Sequence, residues 1–216
     1  MSQLPIRTLA IIALVLAAAA SRMIPHPYNF TPMGAMALFC AAHFKNRGWA
    51  IGLPLLSIWL SDLFLSNYVY NTFNSGFVWL YDGWYWPYGT FALIAVMGMV
   101  TLRKVTVPRV LGSSLAASAI FFLITNLACW PGNTMYAQDF SGLMACYAAG
   151  LPFLGGTVLG DLTYSGLLFG SFAILRCFAP LGHELHQQQQ GPRARWSLSA
   201  RAPRRRIALP QRRGTA

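Results

Sequence analysis

Charge is scarce in this chain. Only 10% of its 216 residues are Asp, Glu, Lys or Arg, and 56% are apolar. That balance, with a positive mean hydropathy, excludes an ordinary soluble domain and points to a polytopic membrane protein of the all-α class. Cysteine is also sparse. Cys40, Cys129, Cys146 and Cys177 show no CxxC pair or other metal spacing, which excludes a disulfide framework and leaves buried thiols as the reading. No GxxxxGK[ST], GxSxG or HExxH stretch occurs, so neither ATP hydrolysis within the chain nor a compact catalytic signature is indicated. No cofactor is implied, and the chain is not expected to be an enzyme. The formal charge of +11 does not indicate a nucleic-acid partner, because about half of the cations lie beyond Arg176 in an Arg-rich tail.

What is present is a series of apolar runs broken at one conspicuous place, Ser21 to Pro32. This stretch carries Arg22, His26 and Asn29 among Pro25, Pro27 and Pro32, and proline forbids a continuing helix there. The expectation is a stiff, non-helical strap forming one wall of a small-molecule site. Leu4 to Ala20 precedes it as a first helix, with Ala13, Ala17 and Ser21 on a small-residue face. The run ends in Ala17 to Ser21, so a cleaved signal peptide is the alternative to a retained anchor.

Spans are expected over Trp49 to Ser66, Tyr88 to Leu102, Val110 to Trp130 and Thr157 to Leu175, with a short apolar piece at Met33 to Phe44. Phe140 to Phe153 is expected as a separate helix lying at the outer interface, with Gly155 and Gly156 as a hinge. Together these make a membrane bundle of about six helices over residues 1–176. Residues 177–216 form a basic, disordered cytoplasmic tail suited to anionic lipid.

Lys45, Arg47, Arg103, Lys104, Arg109 and Arg176 alternate with loops that hold no Lys or Arg, Asn67 to Pro87 and Pro131 to Asp139. The positive-inside rule then sets both termini of a six-helix protein in the cytoplasm. In that topology Arg22, His26, Asn29, Asp62, Asn126 and Asp161 all fall near the outer side. A carboxylate inside a span costs a few kcal/mol unless paired or hydrated, so these six residues are the candidates for a substrate-binding chamber. Two plainer readings stand beside it. Arg22, Asp62 and Asp161 would form an internal ion-pair network that only holds helices together, and the aromatic loop from Tyr68 to Trp86 would be an interfacial belt rather than a ligand cage. His26 has no second His or Cys at ligand spacing, so no metal is expected.

SRMIPHPYNFTPMGAMALF (Ser21 to Phe39), PLLSIWLSDLFL (Pro54 to Leu65), FFLITNLACW (Phe121 to Trp130) and GLMACYAAGLPF (Gly142 to Phe153) resemble an uncharacterised family of bacterial membrane transport proteins. That family is similar to the substrate-binding (S) components of energy-coupling factor (ECF) transporters. The resemblance spans about Ser21 to Leu175 and does not reach the tail. It implies a six-helix inner-membrane protein that captures a vitamin-like solute on its outer face. A transmembrane coupling subunit and ATPases would be its partners within the lipid bilayer. A membrane-embedded enzyme using His26 and the carboxylates, or a purely structural membrane protein, are the competing functions.

Overall fold

The computed structural model of the chain describes residues 6–70 and 76–189, with side chains placed as far as residue 177. Among the described residues the protein is all-helical. Its helices are α1 (Ile6–Ser21), α2 (Met33–His43), α3 (Arg47–Phe64), α4 (Tyr85–Thr101), α5 (Val107–Cys129) and α6 (Phe140–Gln189). A π turn, Leu65–Val69, continues α3. Length and composition suit Arg47–Val69, Val107–Cys129 and Phe140–Cys177 to crossing a membrane, while α1 and α2 are apolar but shorter. The chain divides into two units, Met1–Ala173 and Ile174–Ala216; the first contains α1 to α5 and most of α6. In the second, the described backbone continues α6 as far as Gln189. The tail expected to be disordered over residues 177–216 is thus helical as far as Gln189, because it continues α6, and its Arg-rich part from residue 190 on lies outside the described residues.

The centre of the bundle is α2. Its sequence, MGAMALFCAAH, is apolar on every side, and such a helix has no face to give to water. Gly34 to Ala41 are all buried. The helix packs against α1, α3, α4 and α5, and Phe39 meets Phe169 and Phe172 of α6 edge-on at 5.2 and 5.6 Å. Helix α4 comes close through Gly98, where a Cβ would meet Ala41 and Leu38. At the far end of α2, the Arg7 guanidinium donates to the His43 carbonyl at 3.4 Å. This brings the start of α1 to the side that holds the Lys45–Arg47 turn. The small-residue face of α1 is divided: Ala13 and Ala17 are exposed, while Ser21 bonds to Tyr164 at 2.8 Å.

The strap is non-helical from Ile24 to Pro32, as its prolines require. It crosses α6 at two glycines four residues apart. A Cβ on Gly156 would strike the Tyr28 carbonyl, and one on Gly160 would strike the backbone of Thr31. Four-residue spacing puts both on one face, so the strap backbone lies directly on the helix. This corrects the expected hinge. Helix α6 is continuous from Phe140, with no separate interfacial helix and no break at Gly155–Gly156. A glycine inside a helix costs only about 1 kcal/mol, and a proline such as Pro152 is tolerated in apolar surroundings where neighbours take up the freed carbonyl. The helix begins at Asp139, whose Oδ1 accepts from the Gly142 N–H and the Ser141 hydroxyl, each at 2.8 Å. Those two bonds, the Gly142 amide first, hold the Asp139 carboxyl below its usual range.

The strap contact is testable by overpacking. Gly160→Leu is expected to destabilise the protein by about 1–3 kcal/mol, read as a lowered Tm in detergent. Gly112→Ala on α5, where a Cβ meets open space, should leave Tm unchanged or slightly raised.

Candidate functional site

The six candidate residues separate into distinct sets. Arg22 Nη2 lies 2.7 Å from Asp62 Oδ1, with only 10% and 13% of the two side chains exposed. Arg22 also donates to the Ser61 hydroxyl and, at 3.4 Å, to the Ile58 carbonyl. The second oxygen of Asp62 accepts from the Tyr88 hydroxyl at 2.9 Å. Both oxygens of Asp62 and both terminal nitrogens of Arg22 have partners within the protein. The space beside it, bounded by Ser66, Val78, Trp79, Leu80 and Tyr81, is too tight to admit a water molecule. The pair therefore ties the strap to α3 and α4 in a dry pocket.

The loop that closes this pocket is fastened by Asn67. Its side-chain amide donates to the Val78 carbonyl at 2.8 Å and accepts from the Val78 N–H at 2.7 Å. The Trp59 indole adds a bond to the Trp79 carbonyl at 3.2 Å. Within the loop the Tyr81 hydroxyl is pushed up to about 12, mainly by burial and then by the Asp62 charge, so it remains a neutral group. Trp79, Trp84, Tyr85 and Trp86 are exposed. That arrangement suits an interfacial belt better than a ligand cage.

Asp161 is engaged elsewhere. It is 3% exposed and accepts from the Ser118 hydroxyl of α5 at 2.7 Å and from the backbone N–H of Ala35. Its carboxylate occupies the place a Cβ on Gly34 would take. The acid thus caps α2 from a different helix, where Pro32 offers no side-chain cap of its own. Nearby, Ser114 and Ser165 join α5 to α6 by a 2.8 Å hydroxyl bond. Neither the expected six-residue chamber nor the alternative network joining Arg22 to both acids is formed among the described residues. Asp62 takes the guanidinium, and Asp161 takes backbone and hydroxyl donors. His26 is exposed, its ring bonded to the Ile24 carbonyl at 2.7 Å.

Asn29 and Asn126 do come together. Both line a cavity of about 400 Å³ between the strap, the C-terminal part of α5, the following loop and α6. Asn29 adopts φ 57°, a left-handed conformation that asparagine tolerates better than most residues. Asn126 donates its amide to the Phe122 carbonyl at 2.8 Å, and its Oδ1 fills the space above Gly150, so α5 and α6 meet closely there. Phe121, Phe122, Phe153 and Leu154 supply apolar wall, with Thr125, Thr157 and Tyr136 adding hydroxyls. Tyr28 braces Phe153 edge-on at 6.3 Å. Sequence reasoning passed over Phe121, Phe122 and Cys146. The FFLITN motif nevertheless held a signal, since positions 122 and 126 share a helix face. Among the described residues no group of three or more His, Cys, Asp or Glu is placed to hold a metal.

The ion pair's role can be separated from ligand binding by a double-mutant cycle. Arg22→Met or Asp62→Leu alone should cost about 3–5 kcal/mol, because each leaves a buried charge unpaired, and the double variant should recover most of that. Thermal or denaturant unfolding in detergent reads the outcome.

Among known families, one described as "Family of unknown function (DUF6580)" matches residues 2–181. No curated protein and no solved structure matches the chain.

Proposed function

The chain belongs to the DUF6580 family, and we propose that it is a bacterial inner-membrane subunit that binds a small solute for transport. The observation that carries this reading is the cavity of about 400 Å³ walled by strap, α5 and α6. Its size and its mix of apolar walls with a few converging amides and hydroxyls are those of a small-molecule site. In a six-helix topology with the cations of Lys45, Arg47, Arg103, Lys104 and Arg109 in the cytoplasm, the cavity faces outward.

The lining also favours a solute class. Arg22 is neutralised by Asp62 and absent from the cavity wall, so recognition of an anionic group by that arginine has no support. The wall suits a solute with an uncharged, largely apolar body and hydrogen-bonding groups that meet Asn29, Asn126 and Tyr136. No Walker-type motif occurs in the chain, so any ATP-driven step belongs to a partner. The ion pair and Asp161 act structurally in this reading.

Native mass spectrometry of the gently purified chain should show a co-purifying small molecule. Ala149→Trp, which fills the cavity from α6, should reduce its occupancy at least tenfold, equivalent to about 1.4 kcal/mol, with Tm little changed. A wild-type protein that retains no small molecule and binds none from a solute panel would sink the proposal.

A further inference from the structure

Two thiols share the cavity wall. Cys129 ends α5, Cys146 lies on α6, and both are free. The Cys146 thiol donates to the Asn126 carbonyl at 3.4 Å. Cys129 stands three residues further along that helix, and helical side chains lean back toward the N-terminus, so its thiol leans over the turn that Cys146 touches. Met135, exposed on the loop that follows α5, lines the same cavity.

We propose that Cys129 and Cys146 form a dithiol site for a thiophilic divalent cation, with the Met135 thioether as a third donor. Thiolate and thioether sulfur select soft or borderline metals over magnesium and calcium. Charge selects the valence. On binding, each thiol releases one proton to solvent, and a divalent ion with two thiolates makes a neutral complex. A monovalent ion would leave a net negative charge against apolar walls and beside the C-terminal end of α5, where the helix dipole is also negative. The Asn126 carbonyl that Cys146 touches is a further oxygen donor at this wall. Such an ion would join α5 to α6 across the cavity. The site does not depend on the solute reading, since the sulfur donors are present whether or not an organic molecule enters.

The test is titration of the reduced, full-length protein in detergent with Cd(II) alone. Binding is followed by the thiolate-to-metal charge-transfer band in the ultraviolet and by proton release. The expected result is about one Cd(II) per chain with about two protons released. Cys129→Ser and Cys146→Ser should each weaken binding at least tenfold, while Cys177→Ser should bind as the parent does. Should Cys146→Ser fail to fold, alkylating Cys129 in the folded parent protein should abolish the band. A band that survives these changes, or no band with both thiols titratable, would overturn the proposal. So would a Cys129–Cys146 disulfide that resists reductant, seen as a mass lower by two hydrogens. Because no solute is present in the titration, its failure is separate from any failure of solute binding.

Discussion

The N-terminus of α2 has to be satisfied inside the bundle, and much of the structure follows from how this is done. A helix this apolar belongs at the centre, but its first-turn N–H groups then lie where water cannot serve them. Pro32 has no polar side chain to turn back on them. Asp161 supplies the acceptor from α6, and Ser118 of α5 orients the carboxylate. One carboxylate thereby fastens three helices, and Gly34 is the residue that leaves it room.

With α2 anchored this way, the strap leading into it has little freedom. It must run from the end of α1 to a helix start that faces α6, so its backbone lies on Gly156 and Gly160. Arg22, at the strap's other end, is held by Asp62 and Ser61 of α3. The strap is thus pinned at both ends, and Asn29 between the pins is aimed at the gap beside α5 and α6. The cavity is what remains where these elements do not close.

This arrangement explains why counting polar groups by depth misleads. The sequence topology puts Arg22, Asp62, Asn126 and Asp161 at a similar expected depth, yet a charge in a low-dielectric bundle is satisfied by its nearest donors rather than gathered into one chamber. Asp62 found a guanidinium and a tyrosine; Asp161 found a helix start. Only the amides, whose exposure to a cavity costs far less than that of a charge, are left at the open wall. The residues whose chemistry looked strongest are therefore those with structural partners, and the weaker hydrogen-bonding groups line the cavity.

By itself, the sequence determined where helices form and where one cannot. Apolar runs of membrane-spanning length, the three prolines of the strap and the lysines and arginines that, Arg22 apart, keep to alternate turns are local properties, and local physics decides them. Tertiary structure alone decided which groups meet. That α6 runs unbroken past Gly155 and Gly156, that Asp161 caps a helix distant in sequence, and that Cys129 and Cys146 face one cavity all depend on the approach of segments far apart in the chain. A glycine reads the same in sequence whether it bends a helix or admits a neighbour. Only the neighbour's position tells which.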